Sequence, residues 1–176
     1  MRHSMASLAG IIVVLAAGCS GSDTARRRHD LGSSNVVVRN QAIVRTGEIR
    51  DRTAVPVLTG YCGRDNPMET RLLAVKALGS IGDTNAVAAL VALLGDEPAE
   101  LKRATVETLG KLRDKRATEP LIGLLSDPDI GLVAIWALGN TGDRRAVPAL
   151  ERLLSSPDKY VRYNASQAMK RIGSED

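Results

Sequence analysis

The chain has 176 residues, 44% of them hydrophobic, and a formal net charge of +4. That apolar share argues against a disordered chain. The mild charge, with acids interspersed among bases, reads as a solvated surface and sets aside a nucleic-acid-binding role. With one Trp, three Tyr and no Phe, any core must be built from Leu, Val, Ile and Ala, residues that suit helices packed at close range.

Met1–Gly18 opens with a short basic start, Arg2 and His3, followed by an apolar run from Leu8 to Ala17 and small residues before Cys19. This is the pattern of an export signal, and about ten apolar residues fall short of the roughly twenty that span a bilayer. The run Leu15-Ala16-Ala17-Gly18-Cys19 resembles the lipobox of bacterial lipoproteins, although Ala16 stands where that family usually has Leu. The resemblance implies that Cys19 carries diacylglycerol on its sulfur and, after cleavage, an acylated amino group. Ser20, being other than Asp, implies an address at the outer membrane, facing the periplasm. Residues 19–34 are then the lipidated cysteine and a polar tether without helical or strand period, whose Arg26-Arg27-Arg28-His29 run can touch anionic headgroups.

Residues 35–176 are expected to form one repeat domain. A skeleton of Gly, then Asp four places on, Ala at seven and apolar residues at eleven, fourteen and fifteen recurs around Gly47, Gly79, Gly110 and Gly139. The turn aspartates Asp51, Asp83, Asp114 and Asp143 are spaced by 32, 31 and 29 residues, the mark of a repeat array. The spacing predicts helix pairs Val36–Gly47 with Ala54–Tyr61, Met68–Leu78 with Ala86–Leu94, Ala99–Leu109 with Ala117–Leu125, and Ile130–Leu138 with Ala146–Leu154. Lys159–Ile172 closes the array as one more first helix.

Each pair has an apolar stripe that it cannot cover alone, so neighbouring copies must cover it. The template glycine is expected to end the first helix in a backbone conformation other residues avoid, and the aspartate to cap the second. Cys62 falls on a core position and reads as a small buried hydrophobe, with no second cysteine in the array to pair with.

The units ALGSIGDTNAVAAL and ALGNTGDRRAVPAL resemble HEAT-like repeats of the short kind first noted in phycobilisome lyases, over about Asn35–Ile172. The resemblance implies an all-α fold, an α-solenoid of about four and a half HEAT-like helix pairs. It also implies that Arg39, Arg71 and Arg162 pair with Asp51, Asp83, Asp114 and Asp143 in a ladder along the stack. Lys102 keeps the charge in that row, and Gly131 leaves a gap.

The array holds no chemistry-bearing constellation. The histidines are His3 and His29, both before it, and there is no cysteine pair with ligand spacing, no phosphate loop and no nucleophile elbow. The expectation is a non-enzyme without cofactor or metal that binds unknown protein partners and reaches the membrane through Cys19. The candidate protein-binding patch is Leu132, Trp136, Tyr160 and Tyr163, because aromatic anchors dominate interface energies. The competing reading packs Trp136 against the last helix. The function expected is a protein-interaction scaffold or assembly factor anchored in the bacterial cell envelope. The alternative is an accessory subunit of an enzyme or a lyase-like protein that handles a cofactor or chromophore.

Overall fold

The computed structural model describes residues 26, 28–95 and 98–174. The export signal Met1–Gly18, Cys19 and the start of the tether lie outside the described residues. Long first helices, α1 (Val36–Glu48), α3 (Met68–Ile81), α5 (Ala99–Leu112), α7 (Gly131–Thr141) and α9 (Lys159–Gly173), alternate with short second helices, α2 (Val55–Tyr61), α4 (Val87–Ala92), α6 (Thr118–Ile122) and α8 (Val147–Leu153). Among the described residues there is no strand, and no helix is long and apolar enough to cross a membrane.

The first helices stack in sequence order, α1 on α3 on α5 on α7 on α9, and each second helix leans on the first helix of the next unit. The residues placed just before the template glycines, Leu78, Leu109 and Leu138, are fully buried, as are Leu58, Leu90, Leu121 and Leu150 of the second helices. Each such side chain contributes about 1.5–3 kcal/mol by leaving water. That contribution is what holds the second helices, since five to seven residues are too few for a helix to persist alone. They are shorter than the spacing predicts because their first turns are wound as 3-10 turns: Arg52–Ala54, Thr84–Ala86, Lys115–Ala117 and Arg144–Ala146. Each turn is capped as expected, with Asp51, Asp83, Asp114 or Asp143 accepting a hydrogen bond from the backbone N–H two residues on, at 2.9–3.0 Å.

The glycines do something other than expected. Gly47, Gly79, Gly110 and Gly139 lie inside α1, α3, α5 and α7, and the left-handed residues come three places later, at Arg50, Gly82, Arg113 and Gly142. The template glycine is needed for close approach. A Cβ on Gly139 would lie 2.8 Å from Ala168 Cα, one on Gly47 3.0 Å from Ala77 Cα, and one on Gly110 3.0 Å from Ala137 Cα. Each glycine is the floor on which the next first helix rests.

The tether also differs from its sequence reading. Residues 28–31 are helical, Leu31 is 4% exposed, and the Tyr61 hydroxyl donates to the Leu31 carbonyl. Leu31 lines a cavity of about 230 Å³ together with Ala54 and Val57. The packed unit therefore begins before residue 35, because the first helix pair has an open apolar end that Leu31 covers.

Candidate protein-binding surface

The outward face of the first helices carries one apolar groove with an aromatic wall. Between α5 and α7, Leu132, Val133 and Trp136 line an open groove of about 400 Å³ whose other side holds Glu107 and Lys111. Trp136 is half-buried, and its ring fills the space above Gly110: a Cβ there would meet Cζ3 at 2.6 Å. The indole thus packs back on the preceding first helix, whereas the competing sequence reading placed it against the last one. Leu132 remains 43% exposed. Tyr163 occupies the same register in α9 and is 64% exposed, with Tyr160 at 60% one turn earlier. The groove unites Leu132 and Trp136; the two tyrosines share the face and lie beyond its lining.

The arginines expected to form a ladder bind elsewhere. Arg39 Nη1 donates to the Ser33 carbonyl at 3.0 Å, Arg71 Nε to the Cys62 carbonyl at 2.9 Å, and Arg162 Nη1 to the Ser156 and Pro157 carbonyls at 2.6 and 2.8 Å. They fasten the starts of α1, α3 and α9 to the segments before them. Gly131, where no such side chain exists, is explained by packing, since a Cβ there would lie 2.8 Å from the Leu125 carbonyl oxygen.

A ladder is present all the same, through residues that sequence reasoning missed. Arg116 pairs with Asp114 at 2.7 Å and reaches back to the Thr84 carbonyl at 2.7 Å. Arg145 pairs with Asp143 at 2.6 Å and reaches back to the Lys115 carbonyl at 3.0 Å. The available signal was an arginine two places after the turn aspartate in two consecutive units. The side-chain hydrogen bond from Arg145 holds the Asp143 carboxyl down to about 2, assisted by the Arg145 N–H and the Thr118 hydroxyl and opposed by burial. The Arg116 side chain likewise lowers Asp114. Burial pushes the Cys62 thiol up to about 12, with nearby Arg71 opposing, and Sγ lies 3.4 Å from the Leu58 carbonyl. A thiol so protonated is a poor nucleophile. Among the described residues, no group of three or more His, Cys, Asp or Glu is placed to hold a metal.

Among solved structures, the chain is similar to the complex of CpcE and CpcF of phycocyanin lyase from Nostoc sp. PCC7120, with 25% identity and a TM-score of 0.69, over 84% of this chain and 64% of that one. It is also similar to human deoxyhypusine hydroxylase in complex with glycerol (25% identity, TM-score 0.60, 74% of this chain and 47% of that one). The chain thus spans less than two thirds of either protein chain. A computationally designed armadillo repeat protein for modular peptide recognition has the same fold, at 18% identity and a TM-score of 0.61, covering 85% of this chain and 82% of that one. No curated protein matches the sequence. The family model described as HEAT repeats matches residues 28–104, 66–133 and 126–176, so with the stacked helix pairs and their shared turn geometry in view, the chain belongs to the HEAT repeat family.

Proposed function

We propose that the chain is a non-enzymatic protein-interaction scaffold or assembly factor, attached to the bacterial cell envelope as a lipoprotein through Cys19 and facing the periplasm from the outer membrane. The observation that carries the binding role is the open groove at Leu132 and Trp136, an apolar surface with an aromatic wall on the outward face of the first helices. The lipid anchor is supported by the lipobox-like run ending at Cys19. Affinity capture from envelope extracts with the parent protein, Leu132→Ser and Trp136→Ala tests the first part. A partner that is lost in both variants while Leu132→Ser keeps the parental melting temperature supports the scaffold, and an unchanged partner set removes the groove from it. Mass spectrometry of the mature amino terminus tests the second: a chain that does not begin at an acylated Cys19 ends the lipoprotein reading.

One observation favours a second reading, an accessory or lyase-like role in handling a chromophore: the likeness to the complex of CpcE and CpcF of phycocyanin lyase. A visible absorbance band that co-purifies with the protein, or turnover by the purified chain, would replace the scaffold with this reading.

A further inference from the structure

The two long edges of the solenoid differ in charge, one being basic and the other mixed. Every first helix ends, and every second helix begins, at one edge, where the hydrogen bonds from Arg116 to Thr84 and from Arg145 to Lys115 join successive turns. Arg50, Arg52, Arg113, Lys115 and Arg144 are exposed along this edge. Its aspartates are drawn inward as caps, and the side chains of Asp114 and Asp143 are only 15% and 8% exposed. The opposite edge, formed by the segments between repeats, presents Asp65, Asp129 and Asp158, with Glu69 and Glu100 in the first turns of α3 and α5, interspersed with exposed Arg64, Arg103, Lys159 and Arg162. The two edges are about 20 Å apart, the length of a fourteen-residue first helix.

The amino-terminal segment meets the solenoid at the basic edge. Arg28 lines the same small cavity as Asp51 and Thr53 of the first turn, and Arg26 before it is exposed. Nine residue steps lead from Cys19 to Arg28, a reach of at most about 30 Å. We infer that the basic turn edge is a docking surface for an anionic lipid bilayer, so that the solenoid stands on the membrane with its mixed-charge edge turned away. The geometry of the tether rests on the lipid anchor at Cys19; the charge polarity does not.

The partner is an anionic bilayer because a planar array of phosphates can meet basic residues spread over successive turns at once. Each basic residue near such a surface raises partitioning about fivefold. The test uses the full chain with Cys19→Ser, which removes the anchor, on phosphatidylcholine–phosphatidylglycerol vesicles and on phosphatidylcholine vesicles. The expected result is salt-sensitive binding to the anionic vesicles, reduced on the order of a hundredfold by Arg50→Gln, Lys115→Gln and Arg144→Gln together. These substitutions leave the structural pairs of Arg116 and Arg145 in place. The triple variant Arg64→Gln, Lys102→Gln and Lys159→Gln changes net charge equally at the opposite, mixed-charge edge and is expected to bind like its parent. Because the amino-terminal segment is common to both variants, its own affinity for lipid cancels in the comparison. Equal loss in both triple variants, equal binding to both vesicle types, or tight binding to an RNA oligonucleotide under salt that abolishes vesicle binding would each overturn the inference. An unacylated mature amino terminus overturns the anchor alone, since the vesicle comparison is made without it.

Discussion

At the scale of single residues, the recurring glycine decides how closely repeats stack. In sequence its spacing was plain and its reason was not, because a periodic glycine serves equally well to reach a left-handed angle or to admit a neighbour. The distinguishing sign lies one repeat on, where Ala77, Thr108, Ala137 and Ala168 each stand two places before the next template position. A Cβ on Gly139 would press on Ala168 Cα at 2.8 Å and Cβ at 2.9 Å, both rigid, so Gly139→Ala should destabilise the fold by about 1–3 kcal/mol. Gly60 in α2 has nothing within 4 Å of such an atom, and Gly60→Ala should instead stabilise by about 0.5–1 kcal/mol through helix propensity. Chemical denaturation of the two variants separates close approach from a general intolerance of alanine. Asp143 gives a second test. Its folded pKa of about 2 lies below the unfolded value of about 3.9, so its contribution is full above the unfolded value and is lost as pH falls through the folded one. Melting temperature should decline between about pH 4 and pH 2, and Asp143→Asn should lower it at neutral pH while flattening that acidic limb.

At the scale of elements, helix pairs and their order were legible because apolar residues at helical spacing have one economical explanation, a face that only the next pair can cover. What was not legible is where polar side chains find their partners, since that depends on distances across repeats that spacing does not encode. The resemblance pairs Arg39, Arg71 and Arg162 with turn aspartates, whereas their hydrogen bonds fasten helix starts to preceding carbonyls, and Arg116 and Arg145 form the ladder. Leu31 was hidden for a different reason: one apolar residue in a run of Arg, Ser and Gly shows no period at all. Its burial, with its carbonyl accepting from the Tyr61 hydroxyl, makes the segment a cover on the first pair. Leu31→Ala should remove about 2–3 kcal/mol of local stability. Hydrogen exchange should then accelerate in α1 and α2 and stay unchanged in α7 and α9, whereas uniform acceleration would mean that the segment supports the whole stack.

At the scale of the whole molecule, stability is a sum of repeats and the seams between them, because each first helix rests mainly on its sequence neighbours. Position along the stack should therefore govern how a core defect is felt. Leu109 lies in the middle of the array and is fully buried; Ile172 lies in the last helix and is 2% exposed. Truncating either to Ala removes similar apolar volume, at a cost of about 2–5 kcal/mol. In α5 the defect weakens seams on both sides, so Leu109→Ala should lower the midpoint of a single unfolding transition seen alike by circular dichroism and by Trp136 fluorescence. In α9 the defect touches one seam only, so Ile172→Ala should release that helix first. Ellipticity would then fall before Trp136 reports any change, because the indole packs on Gly110 on the side of α7 away from α9. If both variants unfold in one step with coincident probes, the array is one cooperative block and a nearest-neighbour description fails for a stack this short.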